Sequence, residues 1–124
     1  MPVPILKQGE VLIASIQSEL SDDDLRGLQD DIAERVGKYR TRGVIIDVTA
    51  LDVLDSFATR TLRSIAYTAR LRGAETVVVG MQPEVAFGMV QLGLDLGDVE
   101  TALDLEEGMD LVAAQRKGRR CHDR

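Results

Sequence analysis

Apolar positions along this chain fall alternately into short unbroken runs and into a spacing of about 3.6 residues, which lays out strands and helices in alternation. Val11-Leu12-Ile13-Ala14-Ser15-Ile16 is one such run, preceded by Gln8-Gly9-Glu10, and together with Val3 to Lys7 it predicts an opening hairpin. Ser21 followed by Asp22, Asp23 and Asp24 has the cap hydroxyl and first-turn acids of a helix start, with Asp24 in place of the usual capping-box Glu. Leu25, Leu28, Ile32 and Val36 then recur at helical spacing, leaving Arg26, Asp30, Asp31, Glu34 and Arg35 to water.

Beyond Gly37 and Gly43, Val44-Ile45-Ile46-Asp47-Val48 and Thr76-Val77-Val78-Val79-Gly80 read as strands covered on both faces. Between them Leu62, Ile65, Ala66 and Ala69 mark a second amphipathic helix, with Gly73 at its exit. A strand–helix–strand unit of this length predicts a right-handed crossover between parallel strands. That places the Asp55-Ser56 loop at the carboxyl end of the sheet, where open α/β folds carry their sites. Pro83 opens a third helix through Val85, Ala86, Met89 and Val90, stopped near Gly93, and Leu105 to Val112 carries a fourth despite Gly108. The expected fold class is α/β: one domain over residues 1–115, a mixed β-sheet with an opening hairpin and parallel crossover strands, packed by about four helices. Residues 116–124 are expected to form a basic, flexible C-terminal tail.

A chain of 124 residues buries roughly two-thirds of its unfolded surface and needs neither metal nor disulfide to hold its fold. No apolar run is long enough to cross a bilayer, and the start, Met1 to Lys7, lacks the basic and apolar regions of a secretory signal, so a cytoplasmic protein with no membrane partner is expected. The net charge of −6 argues against general nucleic-acid binding. Basic residues cluster at Arg116, Lys117, Arg119, Arg120 and Arg124, as a solvated tail or an acidic-partner dock. Cys121 and His122 are the only residues of their kinds and lack the partners a redox or metal site requires.

Neither the P-loop nor the dinucleotide glycine signature is present. Ser56 sits in no Gly-x-Ser-x-Gly elbow and has no credible base, so neither hydrolysis nor another enzymatic activity is expected. Asp47, Asp52 and Asp55 lie near one strand end, where they serve either as turn and cap carboxylates or as ligands for a hard cation such as magnesium. Ser56 is placed at the N-cap of the second helix, which is a structural role in itself. The same position suits a phosphate, because unpaired backbone N–H groups and the helix dipole converge there. Thr59, one turn inside the helix, is expected to bond backbone. Arg60, Arg63, Tyr67 and Arg70 share one outward face of that helix, as solvated residues or as a surface for an acidic partner.

Val44 to Leu62 resembles the signature segment of STAS domains, the anti-sigma-factor antagonist fold. Gly80 to Ala86 and Leu92 to Leu96 resemble the downstream signature of its stressosome branch, so the likeness covers nearly the whole chain. Asp55-Ser56-Phe57-Ala58-Thr59-Arg60 is similar to the motif of the short single-domain antagonists, the RsbS type. The resemblance implies a stressosome scaffold that forms homo- and hetero-oligomers with RsbR-like STAS co-antagonists and sequesters an RsbT-like serine kinase. It also implies that Ser56 is the phosphoacceptor and that Asp55, Phe57 and Thr59 shape the acceptor loop. Arg60, Arg63, Tyr67 and Arg70 would belong to the binding surface. Phosphorylation would release the kinase, and an RsbX-like phosphatase would reset the serine. ATP and magnesium belong to the kinase, so no cofactor is assigned here. Two rival readings remain: a purely structural STAS subunit with Ser56 only as an N-cap, and a small-ligand carrier using the apolar core.

Overall fold

The computed structural model describes residues 3–17 and 20–122, with residues 115–122 described by backbone alone. The hairpin expected at the start forms between β1 (Ile5–Gln8) and β2 (Val11–Ser15), antiparallel, with Gln8 opposite Val11. Gly9, at φ +62°, supplies the left-handed first position that a two-residue II′ turn requires.

Helix α1 (Asp22–Tyr39) opens on the expected capping box: Asp24 N–H donates to Ser21 Oγ at 3.1 Å and Ser21 N–H to Asp24 Oδ2 at 3.3 Å. Its buried face is Leu25, Leu28, Ile32 and Val36, the set the periodicity selects. The helix does not stop at Gly37 but runs on to Arg40, which adopts the left-handed conformation with φ 50° and ψ 46°. Gly37 lies beneath the Arg72 guanidinium, which a β-carbon there would strike.

Strand β3 (Gly43–Asp47), helix α2 (Ser56–Leu71), strand β4 (Glu75–Val79), helix α3 (Pro83–Gln91), strand β5 (Glu100–Ala102) and helix α4 (Leu105–His122) complete the order. The sheet runs β1-β2-β3-β4-β5, parallel from β2 onward. Because the parallel strands advance in one direction, right-handed crossovers put α1, α2 and α3 on one face. Leu12, Ala14, Val44, Ile46 and Val78 face those helices, packing on Leu28, Ile32, Leu62, Ile65, Val85 and Met89. The alternate positions Val11, Ile13, Ile45, Val77 and Val79 face α4, through Met109, Leu111 and Val112. This two-sided burial is why the central strands read as unbroken apolar runs.

Three features add to the sequence reading. β5 has no signal in the sequence: Glu100 to Ala102 carries no apolar run and is ordered by its pairing with Val77 to Val79. Val90 is 74% exposed, because the short α3 buries the Val85–Met89 edge and Val90 lies about 100° around the helix from Met89. The backbone of α4 continues through His122.

Candidate functional site

The loop between β3 and α2 is built to hold its last residues still. At the carboxyl end of β3, Asp47 Oδ1 accepts both Thr49 N–H at 2.9 Å and Thr49 Oγ1 at 2.6 Å. Gln82 Nε2 donates to Thr49 O at 2.7 Å, tying the loop to the start of α3. Gly80, at φ +78°, passes so near the Thr49 side chain that any β-carbon would collide with it. Leu51 and Leu54 then plug the loop into the core, both buried.

Asp55, not Ser56, is the N-cap of α2. Its backbone is extended, with φ −78° and ψ 179°, and its Oδ1 accepts Ala58 N–H at 2.8 Å. Ser56 is therefore the first residue of the helix, and the cap role expected of its hydroxyl belongs to its neighbour. Asp and Ser are both good caps, so residue type alone does not say which of the two enters the helix first. Ser56 is exposed, and its hydroxyl has no hydrogen-bond partner among the described residues. Thr59 points inward and is 2% exposed, its Oγ1 donating to Asp55 O at 2.8 Å as expected. Thr61 does the same to Phe57 O at 2.9 Å.

From Ser56 the helix presents Arg60, Arg63, Tyr67 and Arg70 outward, all exposed and all within about 80° of one another around the axis. Ser56 heads this stripe. The structure divides the stripe between two neighbourhoods. Arg60 lines a groove of about 320 Å³ with Arg26, Gln29, Phe57, Thr61 and Ser64, across the contact with α1. There the Arg26 guanidinium lies 5.4 Å from the Phe57 ring centre and 3.3 Å from Asp23 Oδ1. Gln29 Nε2 donates to Ser64 Oγ at 2.9 Å. Arg63, Tyr67 and Arg70 line a second groove, about 400 Å³, against the Leu96–Val99 loop. Arg70 pairs with Asp98 at 3.5 Å, and Gly97, at φ +66°, brings its backbone against the Arg63 guanidinium.

The sequence leaves Arg26 to water and gives Gly97, Asp98 and Val99 no role. Nothing in one dimension joins Arg26 to Phe57, and only the packing of α1 on α2 does so. A third concavity of about 140 Å³, lined by Ile16, Leu20, Leu25, Leu54, Ala58 and Leu62 among others, lies under the loop on the side away from the stripe.

Asp47 is bonded to Thr49 and Asp55 caps α2, so both act as turn and cap carboxylates. Among the described residues, no three acidic, His or Cys side chains are grouped to hold a metal ion. No helix among them is long and apolar enough to cross a membrane. The side chains of Cys121 and His122 lie outside the described residues.

The STAS domain family matches residues 3–108. Among solved structures the chain is similar to RsbS from Moorella thermoacetica, in a variant with a serine-to-glutamate substitution: 33% identity, TM-score 0.79, covering 93% of this chain and 97% of that one. A chain of the stressosome, described as a signal integration and transduction hub, is also 33% identical, with TM-score 0.74 over 91% of this chain and 98% of that one. The RsbT co-antagonist protein RsbRA of Bacillus subtilis is 25% identical over 107 residues, covering 86% of this chain. This chain spans only 38% of that relative's length. With fold, family signature and full-length structural likeness in agreement, the chain belongs to the STAS-domain family, in its anti-sigma-factor antagonist group and close in kind to the RsbS proteins of stressosomes.

Proposed function

We propose that this protein is a non-enzymatic stressosome scaffold that sequesters an RsbT-like serine kinase and releases it when Ser56 is phosphorylated. The observation that carries this reading is the position of Ser56. It is exposed, its hydroxyl is not engaged in capping, and it stands at the head of the Arg60–Arg63–Tyr67–Arg70 stripe. Tyr and Arg are residue types that carry interface energy, and the stripe suits an acidic face of the kinase. A phosphate on Ser56 adds nearly two negative charges at the edge of that contact and weakens it by desolvation and repulsion.

The partners follow the same reading. RsbR-like STAS co-antagonists share the assembly, an RsbT-like kinase supplies the phosphoryl group, and an RsbX-like phosphatase removes it, all in the cytoplasm. ATP and magnesium act in the kinase, and this chain takes no cofactor. A purely structural subunit leaves Ser56 without a task, because the cap is supplied by Asp55.

The test is capture of the purified kinase by immobilised protein. Ser56→Asp is expected to weaken capture roughly 5–150-fold, the range of ordinary coupling between sites. Ser56→Ala is expected to keep the kinase bound and to block its release when ATP is added. Wild-type affinity in the Asp variant, together with normal release from the Ala variant, overturns the proposal.

A further inference from the structure

We propose that Arg60 is the residue that receives a phosphate on Ser56, closing a phosphoserine–arginine clamp along the first turn of α2. The inference rests on Ser56 being the phosphoacceptor and adds how the protein registers the phosphate. Ser56 is the first residue of the helix and Arg60 lies four residues on, so their β-carbons are about 5–6 Å apart on one face. The order is the favourable one, with the anion nearer the helix N-terminus and the cation one turn inside. A guanidinium also offers the planar fork that binds two phosphate oxygens together.

The neighbouring cations are differently placed. Arg26 is held over Phe57 and paired with Asp23 at 3.3 Å. Arg70 is paired with Asp98, and Arg63 lies two turns from Ser56 against Gly97. Arg60 is exposed and has no ion pair among the described residues. Of the acidic residues that precede Ser56 in the loop, Asp52 is exposed and the Asp55 carboxylate is fixed on Ala58 N–H. A phosphate repelled by Asp55 swings away from the cap and toward Arg60.

The clamp gives phosphorylation two effects. It adds a dianion to a stripe of three arginines, leaving a net charge of roughly +1. It also turns Arg60 from the partner onto its own helix. Release of an acidic partner therefore draws on lost attraction as well as on added repulsion.

The experiment installs phosphoserine at position 56 by codon-directed incorporation, without the kinase, and follows the second phosphate ionisation by ³¹P NMR titration. A nearby cation favours the dianion and lowers that pKa. Arg60→Gln is expected to raise it by about 0.2–0.4 unit, the shift that one exposed i,i+4 charge pair supports. Arg60→Lys is expected to restore part of the shift. Arg72→Gln removes a charge from the far end of the helix and is expected to leave it unchanged. Equal pKa values in the wild-type and Arg60→Gln proteins overturn the clamp, as does an equal rise in Arg72→Gln. Because the phosphate is installed without the kinase, these outcomes do not depend on kinase capture, and failure of the Ser56 switch in cells would leave the titration result standing.

Discussion

The assignment of the α2 cap to Asp55 moves the stability of the helix start by one residue and separates it from the switch. Removing a capping carboxylate costs about 0.5–2 kcal/mol, so Asp55→Ala is expected to lower stability by that amount in urea melts, and Asp55→Asn to retain most of it. Ser56→Ala, at an exposed first-turn position, is expected to change stability by less than about 0.5 kcal/mol. The reverse order, with Ser56→Ala the costlier change, would return the cap to the serine. The separation suits a switch: Asp55 holds the helix start whether or not Ser56 carries a phosphate. Thr59 shows the contrasting design, since its hydroxyl is buried and bonded to Asp55 O and helps hold the cap residue in place.

At the scale of elements, Gly108 looks like a flaw in α4, since glycine inside a helix costs about 1 kcal/mol relative to alanine. The structure supplies its reason: a β-carbon there would lie 2.7 Å from Val79 Cγ1. Gly43 does the same for Val112, where the added carbon would lie 2.5 Å from Cγ1. The helix thus sits unusually close on β3 and β4. Gly108→Ala gains helix propensity but overpacks a β-branched neighbour, which costs about 1–3 kcal/mol. The net expectation is a thermal midpoint lower by about 3–6 °C. Adding Val79→Ala is expected to cost less than the two single changes together, because it removes the clash. A raised midpoint in Gly108→Ala would mean that the helix stands farther from the sheet. Elements with a strong period were legible from sequence: the faces Leu25–Leu28–Ile32–Val36 and Leu62–Ile65–Ala66–Ala69 are the buried ones. What the period could not supply was phase at the ends. Asp55 and Ser56 are interchangeable as caps in one dimension, and Arg40 ends α1 in a conformation for which glycine is the usual signal. β5 has no pattern of its own, and the Arg26–Phe57 contact exists only because two helices cross.

Charge is distributed unevenly over the whole molecule. The chain carries −6, yet α2 contains three arginines and no acidic residue, while α1 beside it carries Asp22, Asp23, Asp24, Asp30, Asp31 and Glu34. An acidic partner approaching the stripe is therefore repelled by the molecule at long range and attracted by the patch at short range. Salt separates the two, because the Debye length falls from about 30 Å at 0.01 M to about 8 Å at 0.15 M. Moderate salt screens the distant repulsion first, and higher salt then weakens the contact itself. The association rate of an acidic partner is expected to rise from 0.01 M to an intermediate ionic strength and to fall beyond it. Arg63→Glu cuts the stripe's charge from +3 to +1 and weakens the short-range attraction, so its association is expected to be slower throughout and to fall less at high salt. Stopped-flow association across a salt series reads both curves. A wild-type rate that climbs steadily to high salt would mean that the partner meets an acidic face of the protein and that the α2 stripe takes no part in its capture.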